Sequence, residues 1–427
     1  MKKNYLFGMF ALAAMTMVGC SNDEVVNDYS QDNAIQFGTY VGRDASSRAH
    51  VIDNDVLAKE GFGVFAYYHE GTDVQAGAFS EASEPDFMYN QWVHGVATTT
   101  GEGESATTTY STEQWTYDPV KYWPNNANDR VSFFAYAPWQ QTTPETGDNF
   151  NFNENTGLPT IKFTVNETVK DQQDLLWAAP KMNVQKQKIE ENVEFEFKHA
   201  LSRIGFEVQT MIDKVNPDGV DDDKEGNVDD DDNTGNGKEL DVATTVVVKQ
   251  VTLNGAFSTT GTLTWVEDNN GGYTASIIGD AEENTTYTLT SENFNNNEEH
   301  SLGAKDEKYS VEGQSVDETE APLNNSESYI MIIPKNFENG DNLTIEVIYD
   351  VVTADSSLPK GYSAVTNKIS STFDNIEFKV GYAYKFSLHL GLTTVKLAAQ
   401  VAPWEEQQGE DWAVNLPLNT TTVGGNN

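Results

Sequence analysis

The chain has 427 residues, with 26 Lys and Arg against 67 Asp and Glu, a formal net charge of −41, and it carries six His and one Cys. That length accommodates two or three ordinary domains, and 38% hydrophobic with 11% aromatic residues is enough to fill cores, which argues against a wholly disordered chain. A surface this acidic repels phosphate and anionic headgroups, which argues against nucleic acid as a partner, and a single thiol excludes a disulfide framework or a cysteine-based metal centre.

Residues 1–19 read as an export signal. Lys2 and Lys3 form a positive start, and residues 5–18 form an apolar stretch that spans roughly 21 Å as a helix, short of the ~20 residues needed to cross a bilayer. Met17, Val18, Gly19 and Cys20 close it in a pattern that resembles a bacterial lipobox, in which Cys20 would be diacylated and become the mature N-terminus. The alternative is an ordinary signal segment with a coincidental cysteine. Residues 20–33 are polar, too poor in apolar surface to fold alone, and read as a tether. Its acidic start resembles sequences that direct lipoproteins to the outer face of the outer membrane.

Period-two patterns dominate from residue 34 onward, which predicts strands with one apolar face each. Ile35, Phe37, Thr39 and Val41 alternate with Gln36, Gly38 and Tyr40. Residues 42–49, containing Arg43 and Arg48, are small and polar and suit an exposed loop. A helical turn is predicted at 171–178. Val193, Phe195, Phe197, His199 and Leu201 share one parity while Ile204, Phe206 and Val208 take the other, which predicts a bulge near Ser202 and Arg203. Leu343, Ile345, Val347, Tyr349 and Val351 form another apolar face. The alternation from Ile376 to Leu392 is long enough to require a break, with Gly381 and Gly391 as the places for it. Trp412, Val414, Leu416 and Leu418 alternate in the last stretch; Pro417 there suits an edge strand. The fold class expected is all-β, in tandem antiparallel β-sandwiches. The boundary is expected near 189, giving sandwiches over 34–189 and 190–411 and a tail over 412–427. A rival boundary is the acidic insert at 213–241, read instead as a long hairpin loop.

That insert has twelve acidic and three basic residues. Asp221, Asp223, Glu225, Asp229 and Asp232 fall at positions 1, 3, 5, 9 and 12 of a calcium-binding loop, with Gly226 at 6 and Val228 at 8. Against calcium, position 12 is not the longer Glu, and neither flank reads as a helix. The competing reading is a solvated, self-repelling loop. No other cofactor is indicated. The chain has no zinc-protease, nucleophile-elbow, phosphate-loop or dinucleotide motif, and its His residues show no ligand spacing, so an enzyme is not expected. His199 and His389 fit satisfied positions within strands.

Several segments together resemble a family. Trp115, Tyr117, Asp118 and Pro119 lead to Lys121, Tyr122, Trp123 and Pro124. Val131 to Tyr136 and Pro138, then Asp174, Leu175, Leu176, Trp177 and Ala178, then Phe195, His199, Arg203 and Ile204 follow in the order found in fimbrillin-like lipoproteins of the Bacteroidales. Gly381, Tyr382, Tyr384 and Lys385, with Val401, Pro403 and Trp404, are similar to that family's last strands. The resemblance implies a type V pilus subunit of two transthyretin-like sandwiches, located at the cell surface and assembled with other subunits for adhesion. It implies that an arginine-specific protease removes the first strand, making Arg48 the preferred cleavage position and Arg43 the second, and Ile35, Phe37, Thr39 and Val41 the displaced strand. Trp412, Val414, Leu416 and Leu418 would then form a donor strand for the vacated groove of another subunit. The bland alternatives are an intact loop and a tail packed on its own domain. The rival function is a monomeric surface lipoprotein that binds a glycan or host protein, with Trp92, Trp115, Trp139 and Trp265 as candidate stacking rings.

Overall fold

The computed structural model describes residues 33–41, 52–70, 84–141, 150–185, 192–210, 244–403, 414–415 and 420–424, apart from short breaks within the longer spans. Among the described residues no helix is long and apolar enough to cross a membrane. The first half begins with β1 (Phe37–Val41) and α1 (Asn54–Glu60), then β2 (Phe62–His69), β3 (Met88–Thr100), β4 (Thr107–Thr116) and β5 (Arg130–Ala137). The short strands β6 (Phe150–Phe152), β7 (Thr160–Thr164), β8 (Leu176–Ala178) and β9 (Lys181–Val184) precede β10 (Val193–His199). The helix starts where the Asp53 carboxylate accepts the Val56 N–H at 2.8 Å, and it stops at Gly61, whose φ of 79° is one that glycine adopts without strain.

These strands build one sheet in the order β1-β10-β8-β5-β2-β3-β4, with β9 also on β5. Both of its faces are covered. One packs Phe62, Phe133, Phe195 and Phe197 beneath Leu57 of α1 and Trp123. The other packs Phe65, Tyr67, Phe134 and Tyr136 against a second layer. Burial on both faces is why β5 reads as an unbroken buried run from Val131 to Ala137 rather than an alternation.

The second half runs through β11 (Ser202–Thr210), β12 (Thr244–Phe257), β13 (Thr260–Glu267), β14 (Tyr273–Gly279) and β15 (Glu283–Thr290). A hairpin of β16 (Glu299–Leu302) and β17 (Tyr309–Glu312) follows, then the short β18 (Gln314–Val316), β19 (Ala321–Pro322), β20 (Ile330–Ile332) and β21 (Asn336–Phe337). Last come β22 (Leu343–Ala354), β23 (Tyr362–Phe373), β24 (Ile376–Glu377), β25 (Tyr382–Leu390), β26 (Val395–Pro403), β27 (Val414–Asn415) and β28 (Thr420–Gly424). Two sheets, β19-β11-β25-β26-β27 with β20 on β11, and β15-β12-β22-β23-β28 with β18 on β12, face each other. Ile204, Phe206 and Phe386 from one sheet and Leu253, Val347 and Tyr349 from the other fill the space between them. A four-stranded sheet, β14-β13-β7-β6, supplies the second layer over the first sheet and joins strands from both halves of the sequence. Trp265 of β13 is 1% exposed, and its indole N–H donates to the Ala178 carbonyl at 2.8 Å.

The structure is therefore nearly all β, and some local expectations change. The parity switch around 202 is not a bulge: the chain leaves the first sheet at His199, turns through Ala200 and Leu201, and enters a different sheet at Ser202. The boundary placed at 189 precedes β10, which pairs with β1 and β8 of the first sheet. The predicted helical turn at 171–178 is a 3-10 turn at Val169–Asp171 followed by extended chain and β8, because Leu175, Leu176 and Trp177 are all buried, on more than one side of the strand. The insert at 213–241 lies outside the described residues, and β11 and β12 on either side of it belong to facing sheets, so they do not form a hairpin. The break predicted at Gly381 is present, with φ of 69° between β24 and β25, and β25 ends at Leu390. Most pairs are antiparallel, but β1 runs parallel to β10 and β11 parallel to β25.

Gln172, 1% exposed, stitches the two halves together. Its amide donates to the Asn166 and Met331 carbonyls at 2.9 and 3.0 Å and accepts the Met331 N–H at 2.7 Å. Gln172→Ala leaves the amide and carbonyl of Met331 buried without these partners and should cost about 2–4 kcal/mol, read as a lower urea midpoint with an unchanged m-value.

Candidate functional site

The feature with most bearing on function is β1. It is an edge strand with one ladder partner, paired in register from Phe37 with Val193 to Val41 with Phe197. Ile35, Phe37 and Val41 are 1–2% exposed and Thr39 is half-buried, so the four residues expected on one face do lie together. Phe37 is held by four rings: Tyr117 at 5.4 Å, Phe195 stacked at 5.8 Å, and Phe133 and Phe62 edge-on at 6.0 and 6.2 Å. Full burial of such a side chain is worth roughly 1.5–3 kcal/mol, and edge-to-face rings add to it.

The backbone before β1 is clipped on the side away from β10. The Ile35 N–H donates to Lys121 at 2.9 Å, and the Trp123 N–H donates to Asn33 at 3.0 Å. The Tyr117 hydroxyl donates to the Ile35 carbonyl at 2.7 Å. Past the strand, the Val41 N–H donates to the Asn54 side chain at 3.1 Å. The chain is next described at Ile52, which is 3% exposed and fastened independently of β1. Its N–H donates to Asp174 Oδ2 at 3.2 Å; the same oxygen lies 2.8 Å from His199 Nδ1, and Oδ1 accepts the Leu175 N–H at 2.8 Å. His199 is thus a satisfied interior histidine. Tyr117, Asn54 and Asp174 carry no local signal of these roles, because each acts on a residue 13 to 122 positions away in the chain.

Arg43 and Arg48 lie outside the described residues, as do Cys20, the insert's Asp221, Asp223, Glu225, Asp229 and Asp232, and the tail's Trp412, Leu416 and Leu418. Val414 lies in β27, which pairs with β26 opposite Val401, and β28 pairs with β23 from Ile369 to Phe373. In this chain the tail thus adds a strand to the edge of each facing sheet. Among the described residues no group of three or more His, Cys, Asp or Glu is placed to hold a metal.

With the geometry in place, comparison with known proteins identifies the class. The chain matches the fimbrillin-like family over residues 47–404 and belongs to it. Members of that family are structural proteins rather than enzymes. Among solved structures, the chain is similar to a fimbrial protein from Bacteroides vulgatus, at 19% identity and a TM-score of 0.57, over 87% of this chain and 99% of that one. It is also similar to candidate cell adhesion proteins from Bacteroides uniformis, at 15% identity and TM-score 0.38 over 87% and 98% of the two chains, and from Bacteroides ovatus, at 12% and 0.39 over 88% and 99%. The first of these likenesses supports the fold. No curated protein matches the sequence.

Two measurements probe the strand's attachment. Phe37→Ala should cost about 3–5 kcal/mol in chemical denaturation, because the ring's four neighbours cannot collapse into the space. Burial pushes the Tyr117 hydroxyl up to about 12 from 10.0. Below pH 10 it is protonated folded and unfolded; between 10 and 12 only the unfolded state ionises, so stability falls as pH rises through that window, by up to ~2 kcal/mol. Tyr117→Phe should show a shallower loss of denaturation midpoint between pH 9.5 and 11.5 than the unsubstituted chain.

Proposed function

We propose that the chain is a structural subunit of a cell-surface fimbria, exported as a lipoprotein through Cys20 and assembled by exchange of its first strand. The family supports the fimbrial role and the surface location. The observation that carries the exchange is the attachment of β1: an edge strand whose apolar face fills an aromatic trough, with the chain at Ile52 fastened separately through Asp174. In the proposed step, cleavage after Arg48, or after Arg43, severs β1 from the segment that Asp174 retains. Loss of β1 bares the backbone groups of β10 and the rings of Phe62, Phe133 and Phe195, a trough that accepts a strand with alternating apolar side chains. The tail, with Trp412, Val414, Leu416 and Leu418, is the donor in this reading. On this reading the two sandwich cores correspond to transthyretin-like domains, and the partners are other subunits.

Mass spectrometry of the N-terminus of surface-sheared material tests the processing directly. The expected new terminus is Ala49, or Asp44 if Arg43 is cut, with Ile35 to Val41 missing from the assembled form. Joint substitution Arg43→Ala and Arg48→Ala should abolish detergent-resistant ladders while leaving export intact. Cys20→Ala should abolish labelling by a fatty-acid probe. Assembled material that retains Ile35 to Val41 rules the exchange out.

A further inference from the structure

The large apolar side chains that remain in solvent differ in what lies beside them. Trp92 of β3, 38% exposed, has the rings of Trp139 and His94 beside it at 5.1 and 4.0 Å. Ile278 of β14 is 63% exposed and Val266 of β13 is 45% exposed, on the outer face of the four-stranded sheet. The β13 and β14 residues of that face, Thr262, Thr264, Val266, Thr274, Ser276 and Ile278, pair across the two strands and include no charge, in a chain whose net charge is −41. β14 is also an edge strand: β13 lies on one side of it, and among the described residues no strand pairs with the other.

The hydrogen bonds at the two ends of the β13–β14 hairpin fix which backbone groups face that open side. The Asp280 N–H donates to the Thr260 carbonyl at 2.9 Å and the Asp268 N–H to the Gly272 carbonyl at 2.7 Å, so the even-numbered residues of β14 turn their backbone groups toward β13. Tyr273, Ala275, Ile277 and Gly279 therefore aim theirs outward. On the inner face, Leu263 and Trp265 of β13 are fully buried, whereas Tyr273 and Ile277 of β14 are only half-buried, so the apolar layer is unfinished at this edge. Exposed edges are ordinarily blunted by a charge, a proline or a bulge. The seven residues of β14 include no charge and no proline, and their ladder to β13 runs without a register shift.

We propose that β14 pairs antiparallel with β14 of a second copy of this chain, about a twofold axis at Ser276, joining their two four-stranded sheets into one. The strand is self-complementary in that register. The outward backbone groups meet as hydrogen-bonded pairs, Tyr273 with the partner's Gly279 and Ala275 with the partner's Ile277, so each large inner-face side chain lies opposite a small one. On the outer face Ile278 lies opposite the partner's Thr274. Registers slipped by two residues instead set Ile277 against Tyr273 or against itself. Asp280, the first carboxylate past the strand, falls opposite the partner's Gly272, so no like charges meet face to face. The acidic surface elsewhere repels another copy, which makes this uncharged edge a place of approach. A seven-residue strand pair is smaller than a standard interface of about 1,600 Å², so association is weak and strengthens with salt, which screens the repulsion. The pairing needs neither cleavage nor the tail, and it stands apart from the fimbrial reading.

The test uses purified chain carrying Cys20→Ala, Arg43→Ala and Arg48→Ala, so that neither a lipid nor strand exchange joins copies. Sedimentation equilibrium should show a monomer–dimer equilibrium that tightens as salt rises, and Ile278→Asp, at an exposed position, should weaken it by about ten-fold or more. Cys20 is the one cysteine of the chain, so Ser276→Cys in this background supplies a single thiol. At a non-hydrogen-bonded pair on the axis the two Cα atoms lie roughly 4.5 Å apart, within disulfide reach, and mild oxidation should give a covalent dimer on a non-reducing gel. Thr264→Cys, on the same face but one strand inward, should not. The proposal is overturned by a chain that stays monomeric at high salt, by Ile278→Asp dimerising as the parent does, or by Ser276→Cys crosslinking no faster than Thr264→Cys.

Discussion

Phe37 sits among Tyr117, Phe195, Phe133 and Phe62, yet the strand that carries it has a single ladder partner. This combination sets the character of the molecule. A strand buried in the middle of a sheet cannot leave without unpairing two neighbours, and an edge strand with a polar face can leave without consequence. β1 is neither: it has a ladder partner on one side only, and in the proposed exchange its departure uncovers aromatic surface that water solvates poorly. The trough it occupies is built by β2, β5 and β10, which remain paired or packed with one another in its absence.

The attachments around the strand divide into those that leave with it and those that stay. The ties of Tyr117, Lys121 and Asn54 end on β1 or the residues beside it. The tie of Asp174 ends on Ile52, on the far side of the arginine segment, and is backed by His199 and the Leu175 amide. In the proposed exchange this division matters, because the helix that follows Ile52 roofs the same trough and must keep its place. At the other end of the chain, β27 and β28 occupy the outer edges of the two facing sheets, so the edge-strand problem is handled twice in one polypeptide. In the proposed exchange the acidity would hold copies apart by self-repulsion and leave strand pairing to bring them together.

Much of this was legible in the sequence and some was not, for physical reasons. Alternation announced β1, β10, β22 and β25, and the break at Gly381 was visible as a glycine inside an over-long run. Periodicity reports which side of a strand is apolar, not which sheet the strand joins. The parity change after His199 therefore looked like a bulge, although the chain was passing between sheets. The same blindness hid the β13–β14 hairpin, which leaves the second half of the sequence to cover the first sheet. Pairings between distant polar residues, such as Asp174 with Ile52 or Gln172 with Met331, leave no local trace. Nor does any pattern foretell that Trp265 is core while Trp92 stands exposed.

The most direct test of a separable strand in a re-usable trough is hydrogen exchange on chain cleaved by an arginine-specific protease, freed of its N-terminal fragment and mixed with a synthetic peptide of residues 410–427. If β1 and a donor strand occupy the same place, cleavage should raise exchange at the β10 amides from Val193 to Phe197. The peptide should restore protection there, and a peptide with Val414 and Leu416 replaced by Asp should not. Unchanged exchange in β10 after loss of β1, or restoration by the Asp-substituted peptide, would contradict it.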